Sequence, residues 1–182
     1  MTPPARQTQS IAFPPETIVV PDLYMICGPN GAGKSTWSRG ISTRQNIVCI
    51  DTDALAAGGL SSIAAGKAAA EMARTMIGEK ISFARESTLT ANFDFQIMQL
   101  ARDAGYTIHL TYIHLKTPEL AISRVLSRVQ HGGHDVPEID IRRRYQRSLE
   151  NLPRALEMVD DYAMLDNSGY GYVVMKQGQR HV

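Results

Sequence analysis

Short apolar runs alternate along the chain with longer segments that have the composition of amphipathic helices. The short runs are rich in β-branched residues and predict buried strands, which we place at residues 23–27, 46–50, 81–85, 106–115 and 161–165, with residues 172–175 as a last hairpin partner. The longer segments predict helices at residues 35–43, 53–57, 61–81, 91–104, 117–129, 138–151 and 152–159, the last with Pro153 in its first turn.

This order of elements predicts an α/β fold with a mostly parallel sheet of five to six strands, covered by helices on both faces. The length of 182 residues fits one such domain, which we place at residues 17–182. Residues 1–16 are rich in proline and polar residues and predict a flexible N-terminal arm. Residues 17–20, which Pro21 interrupts, read as an edge or lead-in segment.

Composition and charge narrow the classes of function. The formal net charge is +1, so no global field attracts nucleic acid or anionic lipid, and we expect neither as a partner. No apolar run approaches the length of a membrane span, and the N-terminus lacks the apolar region of a signal peptide. Cys27 and Cys49 lie in two apolar runs that read as adjacent core strands. Reduced, buried thiols in a cytoplasmic protein are therefore expected.

One glycine-rich stretch between the first predicted strand and the first predicted helix carries a phosphate-binding pattern. Its residues fit G-x-x-x-x-G-K-[ST] at every fixed position, in the strand–loop–helix context that the pattern requires. Backbone N–H groups of such a loop, together with the helix N-terminus, bind phosphate oxygens. Lys34 then reaches the β- and γ-phosphates, and the Ser35 hydroxyl takes one position on Mg²⁺. The predicted cofactor is ATP, with GTP as an option, and the predicted loop comprises Gly28, Pro29, Asn30, Gly31, Ala32, Gly33, Lys34, Ser35 and Thr36.

The phosphate loop makes the fold a three-layer P-loop NTPase, and other features favour a kinase-like member. A hydrolytic ATPase would have an apolar strand that ends in Asp-Glu, but the nearest stretch, residues 164–167, lacks the glutamate. A Leu-Ser-Gly-Gly-Gln stretch of transporter-type ATPases and the Asn-Lys-x-Asp of GTPases are also absent from the sequence.

Carboxylates follow two of the predicted strands. Asp51 and Asp53 come after the second strand, and Glu86 ends the third. Ligands in open α/β sheets bind beyond the carboxyl ends of the strands. A carboxylate there can accept the proton of a substrate hydroxyl that attacks the γ-phosphate. Asp51 is our candidate base, although the alternative that it only caps the following helix stays open; Glu86 would hold the substrate or hydrogen-bond the base.

Arginines flank a glycine-containing link at residues 130–138. Arg124 and Arg128 lie one helical turn apart before it, and a run of three arginines, Arg142–Arg144, follows it. Arginines on such a segment can neutralise charge on a transferring phosphoryl group. We expect Arg144 or Arg143 to face the site, whereas the alternative is a solvated basic face.

Other side chains in these segments have simpler explanations. His131 and His134 surround the two glycines of the link, but no cysteine or third ligand stands nearby, so a hinge histidine bonded to backbone is favoured over a metal site. Trp37, just past the loop, is interpreted as a helix-packing residue.

Taken together, these motifs resemble those of the zeta-toxin family, and in particular its small free-standing bacterial members, often labelled predicted ABC-type ATPases. The resemblance covers about residues 24–168. It rests on the stretches Cys27–Thr36, Asp51–Asp53, Glu86–Leu89, 124–137 with its Gly-Gly-His, Arg143–Tyr145 and Asp166–Ser168.

The resemblance implies a P-loop kinase fold with ATP or GTP as phosphoryl donor. Zeta toxins phosphorylate the 3′-hydroxyl of the sugar in UDP-N-acetylglucosamine and are held by antitoxins, so it also implies a nucleotide-sugar substrate and a possible antitoxin partner. By the same resemblance Asp51 is the general base and Glu86 binds substrate, with Thr88 in the same stretch. Arg128 with Arg143 or Arg144 clamps the γ-phosphate, and Asp166 and Asn167 lie near the nucleotide base.

Two alternatives to a nucleotide-sugar kinase remain open from the residues. One is a P-loop kinase for another hydroxyl compound. The other is an ATP-binding regulatory module without transfer activity. The segment between Gly58 and Ile81 is alanine-rich and nearly bare of aromatic residues, whereas a uridine pocket normally uses stacking groups.

Overall fold

The computed structural model describes residues 20–133 and 135–179. The predicted arm, most of the lead-in segment before Pro21, and His134 lie outside these residues. Val20, which is described, is exposed and belongs to no strand.

Six strands form one sheet in the order β2-β3-β1-β4-β5-β6. The first five are parallel, and the last pairs antiparallel with its neighbour as a hairpin. This confirms the predicted α/β fold with its mostly parallel sheet. The strands are β1 (Asp22–Cys27), β2 (Val48–Ile50), β3 (Phe83–Ser87), β4 (Thr107–His114), β5 (Asp161–Asp166) and β6 (Val173–Gln179).

Six helices connect the strands. Side-chain caps fix several helix starts, because the cap oxygen accepts a hydrogen bond from an N–H that has no partner inside the helix. Ser61 caps α3 through Ala64 N, and Thr117 caps α5 through Leu120 N, with Pro118 in the first turn. The helices are α1 (Lys34–Gln45), α2 (Thr52–Ala57), α3 (Ser62–Gly78), α4 (Asn92–Asp103), α5 (Pro118–Gln130) and α6 (Glu138–Leu156).

The two helical segments predicted around Pro153 are one helix. Pro153 lies inside α6, in the last turn before the helix ends at Leu156. Proline there removes only one backbone hydrogen bond, although it usually breaks a helix interior. The flanking residues Leu152 and Ala155 are buried in the core, and this packing offsets the lost bond.

The prediction that the two cysteines lie on adjacent strands is wrong. Cys27 is on β1 and Cys49 on β2, and β3 runs between these strands. Strand order depends on long-range pairing that chain order does not reveal. Both thiols are free. Burial raises the pKa of Cys27 far above its usual value and that of Cys49 to about 12, so both thiols are protonated at neutral pH.

Alternate side chains of the sheet enter the two halves of the core. On β1, Leu23, Met25 and Cys27 pack into the half that is covered by α3 and α4. Ile26 belongs to the other half, which includes Ile113 and helices α1, α5 and α6. Successive strand residues point to opposite faces, and this alternation continues into the site. Among the residues that the structure describes, no helix is both long and apolar enough to cross a membrane.

Candidate active site

The phosphate loop connects the end of β1 to the start of α1 and needs glycine where its backbone turns. Gly33, the N-cap of α1, has φ 92°. A Cβ on it would lie 2.8 Å from both Asn167 Nδ2 and Tyr172 Oη. Gly28 has φ 144°, and a Cβ there would lie 2.3 Å from the carbonyl oxygen of Ile113. Both positions combine a left-handed or extended positive φ with close contact, so only glycine fits this path.

The loop is held from outside by the β5–β6 hairpin. Asn167 Nδ2 donates to the carbonyl oxygen of Ala32 at 2.9 Å, and Tyr172 Oη donates to that of Gly33 at 2.8 Å. Trp37 packs edge-on against Tyr172, with ring centroids 5.0 Å apart, in agreement with its predicted packing role. Sequence reasoning missed Tyr172, because its contact with the loop appears only once the hairpin is paired.

The resemblance placed Asp166 and Asn167 near the nucleotide base. In the structure Asn167 contacts the phosphate loop itself. Asp166 accepts hydrogen bonds from the backbone N and hydroxyl of Ser168, at 2.8 and 2.5 Å, and these bonds lower its pKa. The two residues therefore brace the loop and the turn after β5, and Asp166 does not line the cavity described below.

Lys34 is folded back onto the loop. Its Nζ donates to the carbonyl oxygens of Gly28 and Pro29 at 3.1 and 3.0 Å. Burial lowers the pKa of Lys34, and Glu86 is the largest of the nearby charges that oppose this shift. The ammonium group thus lies beside the backbone of the phosphate loop.

Glu86 lies within its strand, whereas the sequence predicted it at the strand end. It is the fourth residue of β3, 7% exposed, and its side chain points toward α1. Ser35 Oγ donates to Oε2 at 2.9 Å and Ser38 Oγ to Oε1 at 2.5 Å. The strand extends two residues further than predicted because Glu86 and Ser87 pair with Ile26 and Cys27 of β1.

Burial raises the pKa of Glu86, while the two serine hydroxyls oppose the shift. The unfolded chain therefore loses its proton at a lower pH than the folded chain. Folding stability falls as pH rises from the unfolded pKa, about 4.3, through the raised folded pKa. Above that pH the cost of the buried charge is fully present.

We therefore expect Glu86→Gln to raise the melting temperature at pH 7–8 and to leave it nearly unchanged at pH 4. A change on the order of 1 kcal/mol corresponds to roughly 2–4 °C in a chain of this size. Thermal unfolding of both proteins across this pH range is the measurement. Glu79→Gln, at the exposed end of α3, is the control. An equal stabilisation at pH 4 would contradict the assignment to the Glu86 charge.

Asp51 occupies a position that is compatible with both roles that the sequence left open. It is the N-cap of α2, where Oδ1 accepts from the backbone N of Asp53 at 2.9 Å. It also lines the same cavity as Lys34 and Glu86. Capping uses one carboxylate oxygen, so the other is available to a ligand.

Of the candidate arginines, Arg124, Arg128 and Arg144 line the cavity, and Arg142 and Arg143 do not. Arg144 is half-buried and follows Ile141, a core residue, by three positions on α6. Such spacing puts the two residues on one helix face.

The other two arginines of the run form ion pairs on the surface. Arg142 pairs with Glu119 and Glu138, at 2.6 and 2.8 Å. Arg143 pairs with Asp140 at 2.7 Å. Helix periodicity would have singled out Arg144 from the run.

The link between α5 and α6 positions Arg128. A Cβ on Gly133 would lie 2.5 Å from Cγ of Arg128 and 3.0 Å from its carbonyl oxygen, so the absence of a side chain lets the link pack against this arginine. His131 Nδ1 lies 2.7 Å from the carbonyl oxygen of Ser127. This agrees with the expected backbone bond of a hinge histidine.

One cavity of about 540 Å³ lies at the carboxyl ends of the strands, and its lining includes Lys34, Asp51, Glu86 and the arginines Arg124, Arg128 and Arg144. This volume is in the range of small-ligand sites. Its phosphate-loop side includes Asn30, Gly31, Gly33, Ser35 and Thr36. Its opposite side includes Gly66 of α3 and the stretch after β3, with Thr88, Thr90, Ala91 and Phe93. The cavity therefore has room for a nucleotide phosphate chain and a second ligand.

The site also suits Mg²⁺, which needs oxygen ligands and usually binds through one or two protein groups together with substrate phosphates. The Ser35 hydroxyl and the Glu86 carboxylate lie within 2.9 Å of each other, and Asp53 lines the same cavity. In the part of the chain that the structure describes, no cluster of three or more His, Cys, Asp or Glu side chains is arranged to hold a metal by itself.

Comparison with known structures supports the fold. A chain of the PezAT toxin–antitoxin system of Streptococcus pneumoniae superposes with a TM-score of 0.68 at 19% identity, over 87% of this chain and 72% of that one. The AvrRxo1-ORF1:-ORF2 complex with ATP gives a TM-score of 0.68 at 15% identity, over 88% of this chain and 59% of that one. At sequence identities this low, the structural similarity shows a shared fold and not a shared activity.

Comparison at the sequence level gives the family. An uncharacterized protein of Haemophilus influenzae is 35% identical over 125 residues, which cover 65% of this chain and 89% of that protein. The zeta toxin family model matches residues 6–170, a span that includes the phosphate loop, Asp51, Glu86 and the arginines of α5 and α6 that line the cavity. The chain belongs to the zeta toxin family.

Proposed function

We propose that the protein is an ATP-dependent kinase that transfers the γ-phosphoryl group to a sugar hydroxyl of a nucleotide sugar such as UDP-N-acetylglucosamine. One observation carries this proposal. A single cavity brings together a phosphate loop with Lys34, a carboxylate at Asp51 and the arginines of α5 and α6. A phosphoryl-transfer site needs these groups: a phosphate cradle, a proton acceptor and positive charge for the transition state.

The reaction is an in-line displacement. The free oxygen of Asp51 takes the proton of the acceptor hydroxyl as that oxygen bonds to the γ-phosphorus. The bond from the γ-phosphorus to the β,γ-bridging oxygen breaks, and ADP leaves. Lys34 turns from the loop carbonyls to the phosphates, while Arg128 and Arg144 neutralise charge on the transferring group. Mg²⁺, held by Ser35 and adjacent carboxylates, would supply further charge neutralisation on the β- and γ-phosphates.

The wider proposal rests on family membership. Zeta toxins use ATP or GTP and are held by antitoxins, and the likeness to a PezAT chain supports an antitoxin as a partner here as well. The likeness to a complex that contains ATP supports ATP as the donor. We place the activity in the cytoplasm, where nucleotide sugars are made. Glu86 and Thr88 would contact the substrate or order the groups around it.

A phosphoryl-transfer assay with Mg-ATP and UDP-N-acetylglucosamine, with the products read by mass, tests the proposal. We expect a phosphorylated sugar nucleotide from the wild type and none from Lys34→Ala, because the phosphates lose their cationic ligand. Lys116→Ala, an exposed lysine that does not line the cavity, is the matched control. ATP binding without transfer to this or any other hydroxyl acceptor would favour a regulatory module.

A further inference from the structure

Arg85 is a buried cation in the wall of the cavity. It is 5% exposed and lies next to Glu86 on β3. Its guanidinium faces Asp94, which is 1% exposed, with Nη2 3.1 Å and Nε 3.4 Å from Oδ1. Nη1 has no hydrogen-bond partner within residues 20–133 and 135–179. A buried donor without a partner is costly and uncommon in native proteins. A ligand atom is therefore the candidate partner for Nη1.

The position of Arg85 assigns it to the acceptor side. Adjacent strand residues point to opposite faces of a sheet. Glu86 faces α1 and the phosphate-loop serine, as its bonds to Ser35 and Ser38 show. Arg85 faces α4, where it meets Asp94 and Phe93. The cavity wall on this side has no part of the phosphate loop, so a ligand group here belongs to the second substrate.

We propose that Arg85 is a specificity-determining residue, whose Nη1 donates a hydrogen bond to an uncharged oxygen of the acceptor. Such an oxygen is a hydroxyl or an amide carbonyl. This inference rests on the proposed kinase function and deepens it. An uncharged oxygen is favoured because Asp94 already neutralises the guanidinium. A carboxylate or phosphate at Nη1 would place a second negative charge close to Asp94.

Phe93 lies beside this guanidinium. Its ring centroid is 5.0 Å from Cζ of Arg85 and 5.7 Å from Cζ of Arg74. The ring is half-buried and lines the cavity, so an acceptor that reaches Nη1 also contacts Phe93. Phe93 thus supplies the aromatic surface that the segment between Gly58 and Ile81 lacks.

The cavity also extends on this side, beyond the space that a phosphate chain needs. Gly66 and Phe93 line both the main cavity and a neighbouring groove on the surface of α3. A Cβ on Gly66 would meet no atom within 4 Å, and leucine favours helices over glycine. Gly66→Leu therefore keeps the fold and fills the passage, which tests the location of the acceptor without touching the Arg85–Asp94 pair.

Steady-state kinetics of Arg85→Lys test the role of Nη1, because lysine keeps the charge beside Asp94 but lacks the forked donor. We expect the KM for UDP-N-acetylglucosamine to rise about 10- to 100-fold, the effect of losing one hydrogen bond from a charged group. The KM for Mg-ATP should stay within about twofold by the same reasoning. Arg154→Lys is the matched control, since Arg154 also stacks on a phenylalanine, 4.0 Å from the Phe95 ring centroid, and does not line the cavity.

Acceptor analogues separate a hydrogen bond from a structural effect. UDP-glucose and UDP-glucosamine each lack the amide carbonyl of UDP-N-acetylglucosamine. If that oxygen is the partner, these analogues should show equal KM values in wild type and Arg85→Lys; deoxy sugars test the hydroxyls in the same way. An acceptor KM that Arg85→Lys leaves unchanged, or a parallel rise in the KM for Mg-ATP, would overturn the proposal.

Calorimetric binding of UDP-N-acetylglucosamine distinguishes this inference from the kinase function. The wild type could bind this compound without transferring phosphate to it. If binding then weakens in Arg85→Lys and Gly66→Leu, the kinase function is rejected and the acceptor site is retained. Transfer that is insensitive to Arg85→Lys would retain the kinase and reject the role of Arg85. If Arg85→Lys fails to fold, unchanged acceptor binding by Gly66→Leu would overturn the location of the site.

Discussion

Asp51→Asn should lower kcat for phosphoryl transfer by about 10²- to 10⁴-fold, the usual contribution of a general base. Asparagine keeps the oxygen that accepts from the backbone N of Asp53 and is an equally good N-cap. The start of α2 and the folding stability should therefore be unchanged. The substitution removes the ability to take a proton from the acceptor hydroxyl, together with one negative charge. Single-turnover transfer, measured together with ATP affinity and the melting temperature, gives the three values to compare.

Asp53→Asn is the matched control for this substitution. Asp53 lies two residues away and lines the same cavity, so both variants remove one negative charge near the bound phosphates. A loss of activity of similar size in both, with the dependence of activity on Mg²⁺ concentration unchanged, would point to a general electrostatic effect. Full activity in Asp51→Asn would leave Asp51 with its capping role alone, the alternative that the sequence could not separate.

Arg144→Ala should lower kcat by about 10³-fold or more, the lower end of the effect of an arginine that neutralises the transferring phosphoryl group. Arg144 lines the cavity from α6, and its neighbours in the run do not. Because charge neutralisation develops in the transition state, the KM for ATP should change much less than kcat. Pre-steady-state transfer at saturating Mg-ATP is the measurement.

Arg143→Ala is the matched control for Arg144→Ala, because it removes the same type of side chain one position away on the same helix. Arg143 is 69% exposed and pairs with Asp140 on the surface of its own helix, and such pairs contribute little to stability. We expect its kinetics to match the wild type. Equal defects in the two variants would indicate that α6 acts as a whole, through its position or total charge, and would contradict a specific role of Arg144.

The features that could be predicted from the sequence are those in which neighbouring residues decide the outcome. The phosphate loop, its strand and its helix depend on a contiguous stretch, and so does the N-cap at Asp51. Alternation of strands and helices was sufficient for the fold class. For the arginine run, the sequence narrowed the choice to two residues, and the register of α6 relative to its buried face selects Arg144.

The features that were missed depend on contacts between distant segments. Cys27 and Cys49 are separated by β3 because the third strand in the chain enters the sheet between the first two. The continuity of α6 through Pro153 depends on core packing of that helix. Arg85 reads as an ordinary strand residue until Asp94 on α4 is brought beside it. Local propensity and hydrophobic pattern do not predict contacts between residues that are far apart in the chain.

The brace on the phosphate loop has a consequence for the timing of activity during synthesis. The loop is made early, but Asn167 and Tyr172, which hold its outer carbonyls, follow the residues they contact by 135 and 139 positions. A nascent chain on the ribosome therefore carries the nucleotide-binding segment long before the hairpin that fixes its shape. The shape of the nucleotide site is therefore fixed only after the hairpin has been made and its two contacts with the loop have formed.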